Sequence, residues 1–150
     1  MRLAYLVVGC LPVLGQASRV SSVTKAPGDK VMLDISVNSQ PSRAPIAVKW
    51  EVVFPAQLMD IEGDATEIGS AAKDSGKSLQ CTARKSYAYA CNLSGGQNPI
   101  ANGPIAIFHF RIRTTAQAGA TTLRIVRAEA TTVDSKEEIL NDTEAIVIIR

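Results

Sequence analysis

Ile46-Ala47-Val48-Lys49-Trp50-Glu51-Val52-Val53-Phe54 is the stretch on which the fold turns. Ile46, Val48, Trp50, Val52 and Phe54 occupy every second position, and Lys49 and Glu51 take the other side. A β-strand sends successive side chains to opposite faces, so this period predicts a half-buried strand with its bulky residues in a core. The same alternation recurs upstream, where Val31, Leu33, Ile35 and Val37 form an apolar stripe and Lys30, Asp34 and Ser36 look outward. Downstream, Ala106, Phe108, Phe110 and Ile112 form a third stripe. Ile105 and Ile107 make its reverse partly apolar, as suits a central strand, and His109 points away from the core.

Ala120 to Ile125 and Ala145 to Ile149 supply two further strands, and Val20 to Val23, Met59 to Ile61 and a hairpin within Leu79 to Leu93 are shorter. No segment holds a 3.6-residue period for long; Ala65 to Ala72 offers one turn of helix, weakened by Gly69. Turn chemistry separates the runs at Pro27-Gly28-Asp29, 38–45, 63–76, 94–103 and 117–119. About nine strands without helical crossovers bury their apolar faces only by stacking two sheets. The expected fold is therefore all-β, a two-sheet antiparallel sandwich of jelly-roll or immunoglobulin-like type.

Hydrophobic residues make up 46% of the 150 and charged residues 20%, enough for a core and outside the disordered class. Sixteen Lys and Arg against fourteen Asp and Glu leave +2 without a long block of one sign, so the electrostatic footprint of a nucleic-acid binder is missing. One histidine and three cysteines remove most zinc sites and most base-assisted nucleophiles. The expectation is a non-enzyme.

Met1-Arg2, the apolar run Leu3 to Leu14 and the small residues of Gly15-Gln16-Ala17 read as a secretory signal over 1–17, leaving 18–150 as the domain. The run is far below the roughly twenty residues of a membrane span, and Pro12 interrupts it. Val7-Val8-Gly9-Cys10 offers the alternative of lipidation at Cys10. Export leaves Cys81 and Cys91, whose default in an oxidising compartment is a disulfide; their spacing is not that of a C-x-x-C redox pair. If the two are directly opposed in a hairpin, Thr82 faces Ala90 and Ala83 faces Tyr89. The bend then centres on Ser86, with Arg84 and Lys85 at the tip.

Asp60, Glu62 and Asp64 alternate near Gly63 and could gather oxygen ligands for calcium, although they read equally as solvated acids of an edge strand. Once Trp50, Phe54, Phe108 and Phe110 are assigned to the core, Tyr87 and Tyr89 remain as a candidate platform for stacking a sugar, or as packing beside the bridge. Asn92-Leu93-Ser94 and Asn141-Asp142-Thr143 fit a glycosylation pattern, and the apolar Glu144 to Arg150 offers a free sheet edge for assembly.

Taken in order, Ala26-Pro27-Gly28-Asp29-Lys30-Val31, Ile46 to Phe54 followed by Pro55 and Leu58, Asn102-Gly103-Pro104-Ile105-Ala106-Ile107-Phe108-His109-Phe110, and Ala116-Gln117-Ala118-Gly119-Ala120-Thr121-Thr122-Leu123 resemble the successive pieces of a cohesin module. Phe54-Pro55 stands where cohesins often carry Tyr-Asp-Pro. The resemblance implies a jelly-roll sandwich and a non-catalytic role, binding dockerin modules in polysaccharide-degrading assemblies outside the cell. It also implies a binding face on the sheet of the third, fifth, sixth and eighth strands. On this chain Lys49 and Glu51 would project from the third strand, Arg84 and Lys85 from the hairpin tip and Arg124 from the eighth. The alternative is direct binding of a polysaccharide through Tyr87 and Tyr89.

Overall fold

The computed structural model describes residues 2–7 and 21–150. Among them are β1 (Arg2–Val7), β2 (Ser21–Lys25), β3 (Lys30–Asn38), β4 (Pro45–Val53), β5 (Met59–Ile61), β6 (Glu67–Ile68), β7 (Ser78–Lys85), β8 (Ala88–Ser94), β9 (Gly103–Ile112), β10 (Gly119–Thr132), β11 (Glu137–Ile139) and β12 (Thr143–Ile149), with one short helix, α1 (Ser70–Asp74). One sheet runs β1-β3-β9-β5, with β6 also on β9; the other runs β2-β12-β10-β4-β8-β7, with β11 on β10. No helix among the described residues is long and apolar enough to cross a membrane.

The stripes meet between the sheets. Val31, Leu33, Ile35 and Val37 of β3 and Phe108, Phe110 and Ile112 of β9 face Val48, Trp50 and Val52 of β4 and Leu123 and Ile125 of β10, all buried in one cluster. Trp50 meets Phe108 edge to face at 6.4 Å between ring centroids, and Phe54 meets Phe110 at 5.4 Å. Both pairs join one sheet to the other, and each aromatic contact adds about 1 kcal/mol beyond the area it buries.

Several expectations are corrected. The strand begun at Ala120 runs on to Thr132, and β6 and β11, only two and three residues long, were too short to leave an alternating pattern. Pairing is antiparallel except between β12 and β2, which run parallel. Glu144 to Arg150 is no free edge, because β12 lies between β2 and β10. The helical turn falls at Ser70–Asp74, after Gly69 rather than through it. Ile105 is fully buried. Ile35 pairs with Ala106 and Ser36 with Pro104, so Ile105 is the extra residue of a β-bulge and escapes the alternation.

Arg2–Val7, read from sequence as part of a leader, pairs antiparallel with β3 from Arg2 opposite Asn38 to Val7 opposite Leu33. Cys10 and the cleavage point after Ala17 lie outside the described residues. Cleavage there would remove β1 and leave the edge of β3 open.

The Ile105 bulge also seats α1. Gly69 donates its backbone N–H to the Ile105 carbonyl at 2.9 Å, and Ala71 and Ala72 are buried beyond it. A Cβ at Gly69 would stand 2.3 Å from the carbonyl carbon and oxygen of Pro104, which are backbone and cannot swing aside. Gly69→Ala is expected to cost about 1 to 3 kcal/mol, read as a lower urea midpoint at unchanged m-value.

On the outer face of β3, Asp34 is half-buried and its Oδ1 has no hydrogen-bond partner among the described residues. Burial, partly opposed by nearby His109, holds its carboxyl above the usual carboxylate range. A folded-state pKa above the unfolded one means that ionisation opposes folding. Stability is therefore lost as pH rises from the ordinary carboxylate value through the raised one. Asp34→Asn should melt higher than wild type at neutral pH, with the advantage gone at about pH 3, where both forms are neutral.

Candidate functional site

The alternation that buries Trp50 turns Lys49 and Glu51 to the opposite side of β4, the outer face of its sheet. The same face receives Gln80, Thr82 and Arg84 from β7, Ala90 and Asn92 from β8, and Arg127 and Glu129 from β10. Together with Lys49 and Glu51 these residues line a shallow depression of about 480 Å³.

Its electrostatics centre on Glu51, whose side chain is only 12% exposed. Arg84 ion-pairs with Glu51 Oε1, and the Arg127 Nη1 atom lies 3.7 Å from that same oxygen. Directly across the ladder from Lys49 sits Glu129, and their charged atoms are 2.9 Å apart. Hydrogen bonding to that carboxylate raises the Lys49 pKa above its ordinary value. The result is a floor of alternating charge on a rigid sheet.

The hairpin pairs much as the cysteine spacing predicts, with Cys81 opposite Cys91, Thr82 opposite Ala90 and Ala83 opposite Tyr89. Cys81 and Cys91 form a disulfide. Past Ala83 the register slips, so that Lys85 faces Ala88 and the turn is Ser86-Tyr87 rather than a bend centred on Ser86.

Of the residues predicted for partner binding, Lys49, Glu51 and Arg84 are therefore brought together. Lys85 and Arg124 are not. Lys85 Nζ sits 5.6 Å from the centre of the Tyr87 ring, beyond the depression, and Arg124 lies further along β10, 4.0 Å from Asp142. Tyr87 and Tyr89 make no common platform: Tyr87 stands exposed in the turn, whereas Tyr89 packs against the core. The Tyr89 hydroxyl reaches Gly63, where a Cβ would come within 2.8 Å of it.

The acidic trio is not assembled as a ligand set. Asp60 pairs with Arg113, Glu62 with Arg111 at 3.2 Å, and Asp64 lies in a 3-10 turn at Gly63–Ala65. His109 faces outward beside Glu67, 3.5 Å away.

Arg127 and Glu129 went unread because the sequence pattern ends the strand at Ile125. Counted from buried Leu123 and Ile125, Arg127 also falls on the core side. A register shift between Val126 and Glu129 resets the alternation and turns Arg127 outward. The run Arg124 to Glu129, charged at three positions of six, was the available signal.

No protein-family model and no curated protein matches the sequence. The structure does resemble solved cohesins. A cohesin from a type I cohesin–dockerin complex of Clostridium thermocellum matches with a TM-score of 0.74 and 12% identity over 100% of both chains. The sixth cohesin of Acetivibrio cellulolyticus scaffoldin B, solved with a dockerin, gives 0.73 and 11% over 100% of both. A non-cellulosomal cohesin from the hyperthermophilic archaeon Archaeoglobus fulgidus gives 0.70 and 10%, over 100% of this chain and 92% of that one. The likeness is one of fold: the chain forms a cohesin-like β-sandwich domain.

The disulfide ties the outermost strand, β7, to β8 on the core side of the sheet, beneath the face. Closing a loop of ten residues is worth about 2 to 3 kcal/mol in the chain-entropy model, less where a hairpin is already local. Replacing both cysteines by serine should lower the unfolding free energy by about 1 to 3 kcal/mol in denaturant titration, with far-ultraviolet circular dichroism unchanged.

Proposed function

We propose that this domain is an exported, non-catalytic protein-binding module that docks a dockerin-type partner on the outer face of β10-β4-β8-β7. The observation that carries the reading is the ion-paired depression formed by Lys49, Glu51, Arg84, Arg127 and Glu129 on a cohesin-like sandwich. A pre-formed lattice of charge on paired strands fixes orientation and register for a partner without reorganising the backbone. Export is supported by the Cys81–Cys91 bridge and by the leader-like run before Ala17. The setting we assign is extracellular polysaccharide degradation, in which the module holds a protein rather than a glycan. Direct stacking on sugar is disfavoured by the inward position of Tyr89, which leaves Tyr87 as the sole exposed ring of the pair.

The test is binding of the full chain to a panel of recombinant dockerin modules and, in parallel, to insoluble cellulose and xylan. Saturable binding of at least one dockerin is expected, weakened tenfold or more by Arg84→Glu and unaffected by Tyr87→Ala. Retention on polysaccharide with no dockerin bound would overturn the proposal.

A further inference from the structure

The depression holds more positive charge than it neutralises. Arg84 and Arg127 converge on one carboxylate oxygen of Glu51, while most of the Arg127 side chain, 71%, and half of Arg84, 52%, lie in solvent. A guanidinium carries five N–H donors in a planar fork suited to carboxylates, so a single buried oxygen leaves most of the donors of both residues open. Lys49 and Glu129 cancel each other beside them. The open charge is therefore cationic and sits at the centre of the face.

The backbone supplies an independent observation. Arg127 has φ +52°, one of two non-glycine residues in the left-handed region among those described. Arg127 and Ala128 together oppose Trp50 across the ladder, forming a β-bulge whose left-handed position is ordinarily glycine's. An L-residue there is strained. An arginine occupies a position that glycine would adopt without this strain, and the bulge is what brings its guanidinium to Glu51.

Resting on the docking reading for the choice of face, we infer that Arg84 and Arg127 form a clamp for a carboxylate side chain of the partner, so that the domain is a receptor for an acidic protein segment. The incoming carboxylate takes the open donors of the two guanidiniums, and Glu51 beneath holds both in place. Arg127 is the specificity-determining residue.

Fluorescence anisotropy of the full chain with a labelled Glu-rich peptide, its Gln-rich isostere and polygalacturonate tests this, using wild type, Arg127→Gly, Arg84→Gln and Lys30→Gln. Lys30 lies on the other sheet, and its replacement removes the same charge. The Glu peptide is expected to bind at least tenfold more tightly than the Gln isostere. Arg127→Gly and Arg84→Gln should each weaken it tenfold or more, and Lys30→Gln should not. Arg127→Gly should also melt no lower than wild type, since it relieves the strained backbone. Equal effects of Arg127→Gly and Lys30→Gln would reduce the binding to net charge and overturn the inference. Tighter binding of polygalacturonate than of the peptide would move it to an anionic polysaccharide and overturn it as well. Peptide binding that depends on Arg127, with every dockerin rejected, would sink the dockerin reading and leave the clamp. A dockerin bound equally by wild type and Arg127→Gly would sink the clamp alone.

Discussion

Trp50, on a middle strand of one sheet, meets Phe108, on a middle strand of the other, and this contact fixes the side of every strand around it. Burying an indole of roughly 200 Å² is worth about 5 kcal/mol as an upper bound, comparable to the whole net stability of a small domain. A slip of one residue in β4 would send that ring into water and bring Lys49 and Glu51 into the core, each without a charge partner there. The register is therefore strongly determined, and with it the outward display of both charged residues. The candidate face is the reverse side of the core.

That face contributes little to folding. Exposed ion pairs such as Lys49 with Glu129 contribute little to stability in water at physiological salt. On the proposed docking reading their organisation on β4, β7 and β10 would serve recognition, since a rigid sheet holds the charged groups at fixed spacing and covering by a partner strengthens each interaction. Glu51 differs from the rest because it is largely buried between two arginines, and it orders them more than it stabilises the sandwich.

The stripes of β3, β4 and β9 were legible because period-two burial is written directly in residue order, and the hairpin was legible because two cysteines in a short span fix their own pairing. What escaped lies where the period is interrupted. Ile105 and Arg127 each sit at a bulge that inserts a residue and reverses the faces of the positions beyond it, so strict alternation assigns each to the wrong side. β6 and β11 pair through two or three residues and depend on β9 and β10 for their existence. Tyr89 was ambiguous because an aromatic on a hairpin strand serves core or surface equally well, and its packing against the core decides. Three of the five charged residues of the candidate face were thus readable, Lys49, Glu51 and Arg84, and the two contributed by β10 were not.

The strand that delivers Arg84 is also the last in its sheet, hydrogen-bonded on one side alone. Outer strands are the first to fray, and once β7 peels away Arg84 leaves Glu51 with it. The sulfur link between Cys81 and Cys91 is a rivet placed within reach of that margin, three residues from Arg84. Where thiols stay reduced, the margin can loosen while the layers beneath remain closed, so recognition would fade before the domain unfolds. On the proposed docking reading, the bridge would tie the competence of the face to the redox poise of the surroundings.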